Sequence, residues 1–216
     1  MLTVCWAAKG GSGTTVVSCA LALLTAAAHE SAWLIDLAGD VPAALGIAEP
    51  AGPGVHEWVS SSSALPEVLA SLGVPAAEGL VLIPRGVATA AAARDAARWG
   101  ELGLFLAADS RRFIIDAGSM SAPPQLIAAA QQRLLVIRPC YLALRRAVAS
   151  SLVPTGVIVM HEPGRALRAE DVAHAVQVAV VAEVNSDPAV ARAVDAGLLA
   201  SRLPRTLSVA LRGLAA

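Results

Sequence analysis

The chain has 216 residues, of which 56% are hydrophobic and 15% charged, a composition that suits one compact domain and excludes an intrinsically disordered chain. Sixteen basic residues against seventeen acidic ones leave a formal charge of -1, so the chain lacks the basic excess of a dedicated nucleic-acid binder and we expect no nucleic-acid partner. No apolar run reaches the roughly 18 residues of a membrane span and no signal peptide is recognisable, so we expect a cytoplasmic protein.

Short apolar runs alternate along the chain with Ala- and Leu-rich segments of helical length. Continuous apolar runs, typical of strands buried on both faces of a sheet, lie at residues 2–7, 32–36, 79–84, 112–116, 134–138, 156–160 and 179–183. The helical segments lie at residues 14–28, 65–72, 89–107, 122–131, 141–150, 169–175 and 188–196. This alternation predicts a single α/β domain over residues 1–216, with a mainly parallel sheet and helices on both faces.

Two segments do not fit this alternation. Residues 39–63 carry several prolines and glycines and a run of serines, which predict short helices and a mobile loop. Near the C-terminus, the side chains of Leu203, Leu207, Leu211 and Leu214 share one helical face. One interpretation is a closing helix packed on the sheet, and the other is a helix that lies on a membrane surface and recruits the protein there.

A glycine-rich loop lies between the first strand and the first helix. Such a loop lets backbone N–H groups converge on an anion, and the dipole of the following helix favours negative charge. The complete P-loop pattern, Gly-x4-Gly-Lys-Ser/Thr, is not met, because Ala8 stands at its first glycine and Thr14 at its lysine. The hydroxyl position is retained as Thr15. The segment favours a phosphate-binding loop, and a tight turn between strand and helix is the alternative.

The loop resembles the deviant Walker A box Lys-Gly-Gly-x-Gly-Lys-Ser/Thr of the ParA and MinD superfamily, with Thr14 in place of the second lysine. Further segments resemble the CpaE and TadZ branch of that superfamily, and with the loop they extend over essentially the whole chain. These are the switch-like segment at residues 34–46, a Walker B-like strand at 113–118, and the segments 136–146 and 187–197.

The resemblance implies a site for ATP and Mg2+. Its cofactor-binding residues would be Lys9, Gly10, Gly11, Ser12, Gly13, Thr14 and Thr15. Lys9 corresponds to the signature lysine that in relatives reaches the phosphates of the partner subunit, which implies a homodimer. Thr15 would contact Mg2+ directly, and Asp116 would contact it through a bound water.

Two further aspartates are candidate catalytic residues. Asp36 ends a predicted strand, where ligands bind in open α/β sheets. Asp40 follows it in the switch-like segment, and capping the next helix is the alternative role for its side chain.

Three positions depart from the family pattern. Thr14 removes the lysine that holds the β and γ phosphates in relatives, a loss of about 10- to 150-fold in affinity. Ala38 stands where relatives carry the aspartate thought to position the attacking water, which an alanine cannot do. The adenine-recognising asparagine would fall near Met160 or His161, whereas the chain's only asparagine is Asn185. We therefore expect ATP and Mg2+ to bind weakly or not at all, and hydrolysis to be lost or very slow.

The leading functional interpretation is a degenerate MinD-, ParA- or CpaE-like protein that acts as a dimeric positional scaffold. The expected partners are pilus, septum or polar assembly proteins, because the branches of the superfamily place such machinery in the cell. The alternative is an active ATP-dependent switch in which Arg85 or Arg138 replaces the missing lysine, provided that its loop lies over the glycine loop. An iron-protein relative is disfavoured, because Cys140 has no second cysteine placed to share a cluster.

The three cysteines and one tryptophan give two further expectations. The cysteines Cys5, Cys19 and Cys140 have no metal or redox spacing, so we expect them to be small buried hydrophobes. Trp58 lies in a loop with polar neighbours and is a candidate for a partner-facing surface.

Overall fold

The computed structural model describes residues 1–88, 95–119 and 122–215. Within this part of the chain, eight strands form one sheet in the order β3-β4-β2-β5-β1-β6-β7-β8, and every neighbouring pair is parallel except β3 with β4. The strands are β1 (Leu2–Ala7), β2 (Ala32–Asp36), β3 (Val74–Ala77), β4 (Leu80–Ile83), β5 (Phe113–Ser119), β6 (Gln132–Ile137), β7 (Gly156–Met160) and β8 (Val180–Val184).

Helices cover both faces of the sheet and bury two separate hydrophobic cores. They are α1 (Thr14–His29), α2 (Val41–Leu45), α3 (Val55–Ser60), α4 (Ala96–Ala108), α5 (Pro124–Ala129), α6 (Tyr141–Val148), α7 (Ala169–Val176), α8 (Pro188–Asp195) and α9 (Arg205–Leu211). Along β1, Val4 and Trp6 join the core under α3 to α7, whereas Cys5 joins the core under α1, α2, α8 and α9. This alternation explains why the strand is apolar at successive positions.

The mainly parallel α/β architecture predicted from the sequence is confirmed, and each predicted strand overlaps an observed one. Three elements differ. The antiparallel edge strand β3 was not predicted, because Pro75 interrupts its short apolar run. The predicted helix at 65–72 is a 3-10 helix, Pro66–Leu72. The predicted helix at 89–107 begins at Ala96, and residues 89–94 lie outside the described residues.

The segment at residues 39–63 contains two short helices, α2 and α3, as predicted. The prediction that Trp58 faces a partner is wrong, because its side chain is only 2% exposed. Its indole N–H donates a hydrogen bond to the Leu65 carbonyl at 2.9 Å, and the guanidinium of Arg98 stacks 3.9 Å from the ring centroid. Trp58 therefore fastens this segment to α4.

The C-terminal leucine face packs against the body of the protein. Leu207 and Leu211 are fully buried in the core with α1 and β8, while Leu203 and Leu214 pack at its margin. The closing-helix interpretation is confirmed, and this leucine face is not available for a membrane surface. None of the helices in the described ranges has both the length and the hydropathy needed to cross a membrane.

This packing makes α9 a stabilising element. We expect Leu207→Ala to lower the free energy of unfolding by about 2–5 kcal/mol, because the substitution leaves a cavity in the core. The matched control is Val209→Ala on the same helix, where the side chain is 62% exposed and a change within about 0.5 kcal/mol is expected. Chemical denaturation measures both values, and equally small effects would contradict the packing of this helix.

Candidate functional site

The glycine loop opens onto a cavity of about 480 Å³ at the carboxyl ends of the central strands. In addition to the loop itself, residues from four segments line this cavity. The lining includes Gly11, Ser12, Gly13, Thr14, Thr15, Ala38, Asp40, His56, Arg85, Gly118 and Ser119. The structure therefore places most of the predicted site residues around one space, at the sheet edge where ligands bind in open α/β folds.

The glycine loop is held by its own polar groups. The Ser12 hydroxyl donates a 2.7 Å hydrogen bond to the Lys9 carbonyl, so this side chain closes the loop. Gly11 and Gly13 have φ values of +73° and +90°, which favour glycine. Lys9 is half-buried outside the cavity lining, and its ammonium contacts the Gly10 carbonyl at 3.3 Å.

The first turn of α1 presents its backbone N–H groups without a side-chain cap. No side chain caps the turn that begins at Thr14, and no acidic residue lies within it. Because the first N–H groups of a helix lack intrahelical partners and carry a partial positive charge, this sixteen-residue helix directs an unsatisfied positive end at the cavity. The arrangement can accept a phosphate group.

Asp36 and Asp116 lie opposite each other in register at the ends of β2 and β5, and both side chains are fully buried. Asp36 accepts backbone N–H bonds from Ala38 and Gly39 through Oδ1, at 2.9 and 2.7 Å, and from Val41 through Oδ2, at 3.1 Å. Burial raises the pKa of Asp36, and these hydrogen bonds oppose the rise. Its carboxylate is therefore occupied in shaping the following segment.

Asp116, the other member of this pair, accepts hydrogen bonds from the backbone through only one of its two carboxylate oxygens. Its Oδ1 accepts the Gly118 N–H at 3.1 Å, but its buried Oδ2 has no hydrogen-bond partner among the described residues. Burial raises the pKa of Asp116 to about 6, while an interaction with the Thr15 hydroxyl lowers it and the charge of Asp36 adds to the rise. An unsatisfied carboxylate oxygen beside a hydroxyl is a hard-oxygen donor set that fits Mg2+.

The metal would need further oxygens from a bound phosphate and water. Among the described residues, no group of three or more His, Cys, Asp or Glu side chains is arranged to hold a metal ion. Thr15 and Asp116 would supply protein ligands, which agrees with the preference of Mg2+ for few protein ligands plus phosphate oxygens.

Asp40 and Ala38 line the same cavity on its switch side. Asp40 stands at the N-cap position of α2, but its side chain makes no capping hydrogen bond and is exposed. The capping role considered for Asp40 is therefore not the one observed. Ala38 lies next to β5, since a Cβ added to Gly118 would lie 3.0 Å from the Ala38 Cβ.

His56 also lines the cavity, which was not predicted because a lone histidine in an irregular segment belongs to no motif. The ring of His56 is buried, its Nδ1 has no partner among the described residues, and it packs edge-on against Trp99 at 6.1 Å between centroids. Burial lowers the pKa of His56, the backbone of Ala88 opposes that effect, and the nearby charge of Arg85 lowers the pKa further.

A second cavity of about 660 Å³ adjoins the first at Gly13. Met160 and Asn185 both line it, so the asparagine one strand beyond the expected position still reaches the space beside the glycine loop. Met160 also packs on the loop, because a Cβ on Gly13 would lie 3.3 Å from its Cε. Arg138 lines this cavity too, with its guanidinium 2.6 Å from Glu162 Oε1.

No protein-family model and no curated protein matches the chain. Solved structures do match. A ParA family ATPase from Chlorobium tepidum is 17% identical, with 99% of this chain and 97% of that chain covered and a TM-score of 0.79. The septum site-determining protein MinD from Pyrococcus horikoshii, complexed with Mg-ADP, is 16% identical over 100% and 95% of the two chains, with a TM-score of 0.78.

A third similar structure is a chain of the MinC:MinD cell division protein complex from Aquifex aeolicus. It is 16% identical, with 91% of this chain and 85% of that chain covered and a TM-score of 0.72. At these identities the likeness concerns the fold.

The buried carboxylate of Asp116 makes stability depend on pH. Its pKa is about 6 in the folded chain and about 4 when unfolded, so the folded state binds the proton more tightly. The free energy of unfolding therefore falls as pH rises from about 4 to about 6, and stays lowered above that range.

We expect Asp116→Asn, which mimics the protonated acid, to raise the free energy of unfolding at pH 7.5 by about 3 kcal/mol and to have little effect at pH 4. Denaturant unfolding at the two pH values measures this. The control is Asp195→Asn at an exposed carboxylate on α8. Loss of stability in Asp116→Asn at pH 7.5 would contradict this prediction, because it would show that the ionised carboxylate stabilises the folded state.

Proposed function

We propose that this chain, which has the fold of the ParA and MinD ATPases, is a dimeric positional scaffold for a cell-pole, pilus or septum apparatus, with ATP hydrolysis lost. The observation that carries the proposal is Ala38, which lines the glycine-loop cavity where the resemblance implies the water-positioning aspartate. A methyl group can neither accept a proton nor orient water.

The neighbouring aspartate does not replace the missing group. Both carboxylate oxygens of Asp36 accept backbone N–H bonds from residues 38–41, and the side chain is fully buried. Turning this carboxylate toward a water molecule would leave three buried or half-buried N–H groups without acceptors, each at a cost of about 1–3 kcal/mol. This geometry supports a site that retains its shape without the means to hydrolyse ATP.

A homodimer is supported by the position of Lys9. Its side chain lies outside the lining of the cavity and has no carboxylate partner among the described residues. A lysine placed there is available to a second copy of the chain, as the resemblance implies for the signature lysine. The MinC:MinD complex shows that a protein of this fold assembles with a different protein, which supports a pilus, septum or polar assembly partner here.

A specific observation also favours a second candidate, an active ATP-dependent switch. Asp40 and Arg85 both line the glycine-loop cavity. Asp40 is the carboxylate among the described lining residues that is not committed to backbone hydrogen bonds. It could orient a water molecule in place of the missing aspartate, and Arg85 could carry out the work of the missing lysine.

Phosphate release separates the two candidates. We expect the wild-type protein with Mg-ATP to release phosphate no faster than buffer, because no side chain positions water at Ala38. The Thr14→Lys/Ala38→Asp double variant restores both missing groups and is expected to release phosphate measurably. Wild-type release that is abolished by Asp40→Asn would contradict the scaffold and establish the switch.

The scaffold also requires assembly without a nucleotide cycle. We expect light scattering on the nucleotide-free protein to give twice the mass of one chain, and Lys9→Ala to shift the population toward the monomer. Lys9→Arg is the matched control that keeps the charge. A protein that is monomeric at micromolar concentration with and without Mg-ATP would contradict the dimeric scaffold.

A further inference from the structure

We propose that the guanidinium of Arg85 is the phosphate ligand that replaces the lysine missing at Thr14, so that the glycine-loop cavity still binds the phosphate chain of a nucleoside triphosphate. Arg85 is the second residue after β4, and it lines the cavity together with Ala38 and Asp40 of the switch-like segment. It lines the same space as the loop residues 11–15.

The backbone of Arg85 is fixed by α3. The Arg85 carbonyl accepts the His56 N–H at 3.1 Å, and the preceding Pro84 carbonyl accepts the Val55 N–H at 2.9 Å. The two backbone segments approach so closely that a Cβ on Gly54 would lie 2.2 Å from the Pro84 carbonyl oxygen. Arg85 is therefore held at the rim of the cavity by main-chain contacts on its own strand end.

The carboxylate of Glu57 fixes the residues that follow. Its oxygens accept N–H bonds from Gly54 at 2.7 Å and Val87 at 2.8 Å, and from Ala88. Burial raises the pKa of Glu57, but these backbone donors outweigh it and hold the pKa below its usual value. The turn after Arg85 is thus tied to α3 by a charged group, and the start of the arginine side chain has little freedom to move away.

The side chain of Arg85 lies over Gly39 at the edge of the cavity. A Cβ on Gly39 would lie 3.0 Å from the Arg85 Cζ, and the φ of +94° at Gly39 itself favours glycine, so the guanidinium lies over this residue without crowding. Its one described hydrogen bond is a long one, 3.4 Å from Nη1 to the Ala38 carbonyl. No carboxylate within the described ranges pairs with it. A guanidinium with most of its donors unused is suited to bidentate binding of phosphate.

Two buried polar atoms indicate that the cavity is built for a bound molecule. His56 Nδ1 and Asp116 Oδ2 have no partner among the described residues, although the side chains are 4% and 0% exposed. His56 itself lines the cavity, and Asp116 lies beside Thr15, which does so. Buried polar groups are nearly always satisfied, so a Mg2+-phosphate group with its waters would complete this site.

Arg138, the other arginine considered from the sequence, is less suitable than Arg85 as the phosphate ligand. Its guanidinium is 2.6 Å from Glu162, whose second oxygen is 2.7 Å from Arg165. It lines the adjoining cavity rather than the space between the glycine loop and the switch segment. The structure therefore distinguishes two arginines that the sequence left equivalent.

Isothermal titration calorimetry with Mg-ATP and with inorganic tripolyphosphate plus Mg2+ tests the proposal without relying on hydrolysis. We expect Arg85→Ala to weaken Mg-ATP binding by about 10- to 100-fold, as loss of a charged hydrogen bond implies. The Thr14→Lys/Arg85→Ala double variant should regain most of the lost affinity, because it returns a cation to the same cavity. Arg212→Ala, at an exposed arginine on the 3-10 helix after α9, is the matched control.

Thr14→Lys should add less affinity in the wild-type background than in Arg85→Ala, a difference that a merely structural arginine would not give. Thermal unfolding without ligand checks that each variant is folded. Unchanged Mg-ATP binding in Arg85→Ala would overturn the proposal, as would wild-type protein that binds neither probe at millimolar concentration. Tighter binding of Mg-ATP than of tripolyphosphate assigns a nucleotide, and equal binding supports recognition of the phosphate chain alone. These outcomes are independent of the dimer and hydrolysis measurements, so the scaffold and the phosphate ligand can fail separately.

Discussion

The buried carboxylate of Asp36 organises the carboxyl edge of the sheet. By accepting three N–H groups from residues 38–41, it fixes the turn that carries Ala38 and Gly39. That turn lines the same cavity as the glycine loop, and the Arg85 guanidinium lies over its Gly39. A buried charge is tolerated here because backbone dipoles surround it.

The same edge holds a second carboxylate that is not satisfied in this way. Asp116 lies opposite Asp36 in register, yet one of its oxygens has no partner within the described chain. Burial raises the pKa of Asp116, and the like charge of Asp36 at the adjacent strand end adds to the rise. A buried carboxylate that destabilises the fold in this way is commonly retained where a bound ligand or metal ion stabilises its charge. The unpaired oxygen of Asp116 and the uncapped first turn of α1 therefore give this edge of the sheet the charge distribution that a phosphate group with Mg2+ would satisfy.

Much of the architecture could be predicted from the sequence, because parallel strands buried on both faces leave continuous apolar runs and the glycine loop has a recognisable spacing. The parts that were missed depend on contacts between distant segments. Trp58 has polar neighbours in sequence, but Arg98 from α4 covers its ring. Glu57 and His56 lie in a segment without periodicity, and only the folded chain shows that they hold the loop around Arg85.

In the proposed function and the role proposed for Arg85 taken together, the glycine-loop cavity holds a nucleoside triphosphate without hydrolysing it. The most direct test is a crystal structure of the wild-type protein grown after prolonged incubation with Mg-ATP. We expect intact ATP in the glycine loop, with a phosphate oxygen within hydrogen-bond distance of the Arg85 guanidinium and Mg2+ beside Thr15. ADP in the loop would contradict the loss of hydrolysis, and an empty loop or a guanidinium turned away from the phosphates would contradict the role of Arg85.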